Sequence, residues 1–380
     1  MTLIDQIYVQ EQKTPERVLN VFPFAFFNPD CRYLGFKAVR RAIETGDQSF
    51  FLGQIRNNFL AGVTDSDQLQ GLFRESMNRG IRSLNFLCQE NLGEEGKPFL
   101  IPEINLASDL LEFTRAARDE WIEARNGKHG SKIDKEKLRK AYEQVRNWGL
   151  GYWILKIDTS PEVIRSIRHH NTALEWFNNQ FAFSDQVPTD IDDLPVSWQT
   201  KSGVRVYGSD KKPIRSRLKI LTTDGELKYG SLLMKMFLKG EFMDTVNDLT
   251  GVEFIVEDDA SCRDLVNYFR CHIRGTGVLE KFKDSIKADK RSKHSSSKFG
   301  CTKFLVRPSV PIPNIGPPYP LDFPNYERIP VEVQILTIAD HKQRNEDPDV
   351  QHEAYKRKQY LEVFPLWYPK DIYAPILVGK

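Results

Sequence analysis

Apolar residues recur three and four positions apart through most of the first 180 residues of the chain, which is the period of amphipathic helices. The run from Cys31 predicts a helix that ends at Gly62. Residues 108–127 (SDLLEFTRAARDEWIEARNG) repeat the pattern and stop at Gly127. Residues 134–157 predict another helix with Asp134 as its cap, and Ser160-Pro161-Glu162 opens a fourth with a hydroxyl cap, a first-turn proline and an acid at the positive helix end. Together these predict a mainly helical domain over residues 1–183. A polar stretch containing Asp and Pro at 184–203 predicts a linker.

Beyond residue 203 the period changes repeatedly. LKYGSLLMKMFLKGEF predicts a helix, GVEFIVED a strand, and SCRDLVNYFRCHI a helix capped by Ser261. CTKFLVRPSV and IPVEVQIL predict strands, and a charged helical run follows the second. This order predicts an α+β fold: a mixed sheet flanked by helices over 204–380. The proline-rich segment 307–330 predicts a long stiff loop. The basic, Ser-rich segment 287–300 predicts either a solvated connector or a phosphate-handling loop.

Composition narrows the class. With 40% hydrophobic residues in 380, the chain can bury a sizeable core, and 54 basic against 52 acidic residues select no nucleic-acid partner by total charge. Cys31, Cys88, Cys262, Cys271 and Cys301 are scattered and never form CxxC, which predicts reduced thiols and no zinc site. No apolar run reaches membrane-spanning length and no signal segment follows Met1, so a cytoplasmic protein with no membrane partner is expected.

The candidate chemistry starts from Glu332, a carboxylate between Val331 and Val333 in an apolar strand. A half-exposed strand would explain it without function; a paired or metal-binding carboxylate is the other reading. Asp248 precedes another strand, and two carboxylates on neighbouring strands can hold magnesium, with Asp244 and Asp258 as possible substitutes for Asp248. Arg215, Arg217 and Lys219 alternate, so an extended backbone turns them to one side. Ser231 and Lys235 share a helix face. Several cations on one side suit a polyphosphate; a solvated basic strand is the bland alternative. His169 and His170 are adjacent on a helix and point apart, and the aromatics of NVFPFAFFNP and WGLGYWI read as core.

Taken in order, RSRLK, GSLLMKM, NDLTGVEFIV, VEVQILT and HEAYKRK resemble the RelA/SpoT-like alarmone synthetase domain over about residues 205–360. The resemblance implies a nucleotidyltransferase-like mixed sheet and magnesium-dependent transfer of pyrophosphate from ATP to a 3′-hydroxyl. It leaves open whether the acceptor is a guanine nucleotide, an adenine nucleotide or the 3′ end of tRNA. It implies that Arg215, Arg217 and Lys219 grip ATP, with Ser231 and Lys235 beside the phosphates. It implies that Asp248 binds magnesium and that Glu332 is the second catalytic and metal-binding carboxylate, with Gln334 beside it. His352, Tyr355 and Lys356 match the family's closing signature, and Lys303 and Arg307 are further nucleotide-binding candidates. Partners would be nucleotide substrates, with tRNA and a regulatory or antitoxin protein, as in toxin-type members, in the wider set. Three positions depart from the family pattern. Glu253 and Leu336 stand where arginines are usual, and SSSKFGCTKF replaces the element whose tyrosine stacks on guanine, with Phe299 and Phe304 as substitute stackers. A fold that binds a nucleotide or protein without catalysis, and a transferase of nucleoside monophosphates, are the competing readings. No His-Asp pair of an alarmone hydrolase is present in the sequence, so hydrolysis is not expected.

Overall fold

The computed structural model describes residues 48–105, 135–209, 211–222, 226–239, 246–272, 277–284, 300–311, 326–348, 352–370 and 373. Contacts divide the chain into two units, neither continuous in sequence. The first comprises the chain up to Ser160, Lys228–Met243 and the segment from Gln359; the second comprises Pro161–Leu227 and Asp244–Lys358.

The first unit is helical. It holds α1 (Gln48–Phe59), α2 (Ser66–Leu92), a 3₁₀ turn (Gly93–Phe99) and α3 (Lys135–Asp158). Asp65 starts α2 by accepting the Gln68 amide at 2.7 Å, a side-chain N-cap. The helices α2 and α3 cross closely because each offers a glycine. A Cβ on Gly80 would lie 2.8 Å from Leu150 Cβ, and one on Gly151 would lie 2.4 Å from Met77 Cγ. Trp148, Leu150, Tyr152, Trp153 and Ile154 are buried, as expected of core aromatics, while the segment 20–29 lies outside the described residues. The expected helix at 108–127 and the cap Asp134 also lie outside them. Arg146 of α3 is fully buried in this unit, with its guanidinium against the rings of Tyr142, Tyr368 and Tyr373. It donates to Tyr373 Oη at 2.7 Å and to the Trp367 carbonyl at 3.4 Å.

The second unit is an α+β sheet. It opens with α4 (Pro161–Phe181), β1 (Ser184–Pro188), β2 (Val196–Gln199), β3 (Arg205–Gly208) and β4 (Arg215–Leu218). The stretch 184–203, expected as a linker, thus carries β1 and β2; Val196 and Ser197 are buried there, a short pattern masked by the surrounding Asp and Pro. After α5 (Tyr229–Lys239), which belongs to the first unit, come β5 (Thr250–Val256), α6 (Asp259–His272), β6 (Gly277–Asp284) and β7 (Thr302–Pro311). Then follow β8 (Tyr326–Arg328), β9 (Val331–Thr337), α7 (Ile338–Glu346) and α8 (His352–Trp367), whose last residues belong to the first unit. The cap of α6 is Asp258 rather than Ser261: its carboxylate accepts the Ser261 amide at 2.8 Å.

Nine strands form one mixed sheet in the order β1-β2-β3-β5-β9-β7-β6, with β4 also on β5 and β8 on β7. Strands β3 and β4 share an edge of β5: β3 pairs with Ile255 and Val256, β4 with Thr250 to Glu253. The β5–β9 pair is parallel and the other pairs are antiparallel. One face is a hydrophobic core: Val252, Phe254, Val331, Val333, Ile335, Phe304 and Val306 pack against Phe177 and Phe181 of α4 and Leu265 and Phe269 of α6. Because strand side chains alternate, this burial sends Glu253, Glu332, Gln334, Lys303 and Arg307 to the opposite face.

Candidate functional site

The opposite face is polar, and the strand register sets its residues in two ranks. Arg217, Gly251, Glu332 and Leu305 lie across the sheet in one; Arg215, Glu253, Gln334 and Lys303 lie in the next. Further along, the face becomes apolar where Ile255 pairs with Leu336. Leu336 is buried there, so at this place the site ends in a hydrophobic wall rather than in a cation.

Glu332 is the hub of the first rank. Lys219 Nζ donates to its Oε2, and Gln334 Nε2 donates to the same oxygen at 2.6 Å. Gly251 makes this reach possible: a Cβ there would stand 2.9 Å from Lys219 Cε. Oε1 of Glu332 accepts no hydrogen bond from a described residue. Burial alone would raise the Glu332 carboxyl, but Lys219 and Lys303 outweigh it and hold it below its ordinary value, with Asp248 opposing them. Burial likewise favours neutral Lys303, yet Cys301, Glu332, Tyr355 and Asp248 raise it and keep it charged. Asp248 therefore acts on the charge of both Glu332 and Lys303, and Tyr355 on that of Lys303. Asp258, the possible substitute, is an exposed helix cap, and Asp244 lies outside the described residues.

The second rank is held from α7. Strand β9 runs straight into this helix through Thr337, whose Oγ1 accepts the Asp340 amide at 3.1 Å and donates to Asp340 Oδ2 at 2.8 Å. The Gly300 amide also donates to Asp340, at 3.2 Å. This anchor places His341 and Arg344, three apart on one helix face, over the strands. Arg344 grips both oxygens of Glu253, with Nη2 donating to Oε1 at 2.9 Å. Arg217 Nη2 stands 3.6 Å from Glu253 Oε2. Glu253 is buried, which would raise its pKa, but Arg344, Arg217 and Arg215 hold it low and ionised. His341 Nδ1 lies 3.0 Å from Arg344 Nη2, and its Nε2 meets Asp193 Oδ2. A guanidinium only donates, so Nδ1 must accept and Nε2 carries the proton. Burial lowers the His341 pKa and keeps the ring neutral; Arg215 and Arg344 act in the same direction against Asp193. Arg215 donates to the Asp193 carbonyl at 2.9 Å.

The other expected residues divide by unit. Arg307 donates to Asn247 Oδ1 at 3.0 Å beside Asp248. Tyr355 and Lys356 belong to the second unit and are half-buried, while the His352 side chain lies outside the described residues. Ser231 and Lys235 are half-buried on α5 in the first unit. Phe304 cannot stack a base: it is buried in the core against Phe269, at 4.8 Å between ring centres. Phe299 and the basic segment 287–299 lie outside the described residues. Sequence reasoning missed Asp193, His341 and Arg344. The i,i+3 spacing of the last two on a helix following a capped Thr337 was a usable signal, whereas nothing local tied Asp193 to them.

The ionised Glu332, with its Oε1 unfilled, and Asp248, near enough to act on its charge, suit magnesium, a hard cation that takes few protein ligands and completes its shell with water and phosphate. Among the described residues no cluster of three or more His, Cys, Asp or Glu could form an all-protein cage. No described helix is long and apolar enough to cross a membrane. No protein-family model matches the chain, and no curated protein matches it. Among solved structures the chain is similar to the small alarmone synthetase 2 from Bacillus subtilis, over 57% of this chain and 98% of that one, at 15% identity and a TM-score of 0.29. An overlap that slight carries no functional weight, which falls instead on the geometry of the polar face.

Proposed function

We propose that the polar face of the second unit binds the polyphosphate of ATP and transfers pyrophosphate to the 3′-hydroxyl of a nucleotide or of tRNA. The observation that supports this most is the pair of ranks, in which Arg217 and Lys303 stand on the same sheet face as the ionised Glu332, with Lys219 reaching Glu332 from just past β4 and Asp248 close enough to act on its charge. Phosphoryl transfer asks a protein mainly for position and charge. Arg217 and Lys303 neutralise phosphate oxygens. Lys219, now on Glu332, is within reach of both the carboxylate and an arriving phosphate. Glu332, fixed by Gln334, orients the attacking hydroxyl through its open Oε1. Asp248 and Glu332 would hold magnesium, which supplies charge neutralisation and polarises the reacting oxygens. The 3′-hydroxyl oxygen bonds to the β-phosphorus of ATP, the bond from that phosphorus to the oxygen bridging to the α-phosphate breaks so that AMP leaves, and the hydroxyl proton passes to Oε1 of Glu332.

The test is transfer of label from γ-³²P-ATP, with magnesium, to GDP, GTP, ADP, ATP or bulk tRNA, alongside Glu332→Gln. Label on one acceptor that falls by roughly a hundredfold or more in the variant supports the reading, a loss typical of removing one preorganised charged group. Label-free acceptors with ATP still bound would instead support a binding fold without catalysis. That second reading draws on one observation: Arg344 and Lys219 already neutralise two carboxylates of the face internally.

A further inference from the structure

Of the three cations on and after β4, two are committed. Arg215 is tied to Asp193 and Lys219 to Glu332. Arg217 is different: its side chain is 46% exposed, and its nearest anion, Glu253, lies 3.6 Å away. Glu253 leaves it loose because the carboxylate is already satisfied, both oxygens taken by the guanidinium of Arg344. Arg344 in turn is aligned by the neutral ring of His341, whose proton is directed to Asp193.

We infer that Arg344 is a positioning residue: by neutralising Glu253 from α7 it leaves Arg217 available to receive an anion of the nucleoside polyphosphate class. This rests on the reading proposed above. A buried carboxylate that loses its partner is strongly destabilised and draws in the nearest cation. Without Arg344 that cation is Arg217, which moves from the ligand to Glu253. Arg344 thus governs ligand affinity without touching the ligand, and it does so only while Glu253 carries charge.

The test is calorimetric titration of full-length protein with ATP and, separately, with inorganic tripolyphosphate. It uses Arg344→Met, Glu253→Gln, the double variant, and Arg217→Gln in the wild-type and Arg344→Met backgrounds, with circular dichroism to establish folding. Arg344→Met should weaken binding about tenfold, the loss of one charge-assisted contact. Adding Glu253→Gln should return affinity to within about threefold of wild type, since no orphaned carboxylate remains. Arg217→Gln should weaken the wild type about tenfold yet change the Arg344→Met protein by less than about twofold, because one interaction cannot be lost twice. A merely structural role would give additive losses and no recovery. Wild-type affinity in folded Arg344→Met, or a double variant as weak as the single, overturns the inference. If Arg344→Met does not fold, Glu253→Gln decides: undiminished binding supports it, and a loss of about tenfold or more overturns it, the size of one charged contact. A wild-type protein that binds neither probe overturns the functional reading itself, an outcome distinct from all of these.

Discussion

Two arginines, one in each unit, are kept in place by opposite means: Arg146 is fully buried, and Arg344 is half-buried over a buried carboxylate. Arg146 lies among three tyrosine rings and donates to one hydroxyl and one carbonyl oxygen, while its Nε and Nη2 find no hydrogen-bond acceptor among the described residues. Arg344 lies against a carboxylate that takes its fork in two bonds and against a histidine nitrogen that takes a third. The first is held by polarisable rings, with the charge of Glu143 reaching it through the Tyr373 hydroxyl, and the second by a carboxylate in direct contact. A cation caged in rings can be replaced by apolar bulk, because no opposite charge is stranded. A cation in an ion pair cannot, because its removal leaves an anion in a site where water is scarce.

The largest effect that would expose this contrast is on stability. Arg344→Met should cost about 3 kcal/mol, the loss expected when one partner of a buried pair goes, moderated by Arg217 nearby. Arg146→Met should cost only about 1 kcal/mol, since packing is largely kept and two unsatisfied nitrogens leave with the guanidinium. Urea midpoints of the two variants measure the difference, and equal losses would break the comparison.

Acid should separate the regions next. His341 has a folded pKa below its ordinary 6.5, so protons favour the unfolded chain and stability falls as pH drops below about 6.5. Glu253 and Glu332 have folded pKa values below 4.5, so their contribution is present above that value and is lost as pH falls through the folded values. Unfolding midpoints should therefore decline in two stages, and His341→Gln should shrink the upper one, leaving the part due to His170, whose pKa burial and Lys212 also lower. The Arg146 site holds its cation by aromatic faces and should add nothing to the upper stage. The smallest effect belongs to Gly251→Ala. Its Cβ would crowd the flexible end of Lys219 and touch the Glu332 carbonyl at an ordinary 3.6 Å, so stability should change by less than about 1 kcal/mol, while ATP binding weakens as Lys219 is pushed off its line to Glu332.

The alternation of Val331, Val333 and Ile335 against Glu332 and Gln334 made β9 and its polar face legible in the sequence, because one buried face forces the other outward. The alternation at Arg215 and Arg217 was legible for the same reason, and α4 began at its proline as the local signals required. What local pattern could not carry was pairing at a distance. Glu253 read as a lost arginine because its partner lies on another element, and Asp193 sat in a stretch whose composition looked like a linker. Phe304 read as a base stacker because its alternation with Lys303 did not reveal which of the two faced the core.

The Glu253–Arg344 pair has a consequence for descent. The two residues lie 91 positions apart, yet the buried Glu253 depends on the cation that Arg344 brings to it. Single changes at either place pass through a chain with a stranded charge, so the two positions should be inherited together. Among related sequences, an arginine in place of Glu253 should coincide with the loss of the cation at 344, and a chain carrying arginine at both would have to supply a new anion between them.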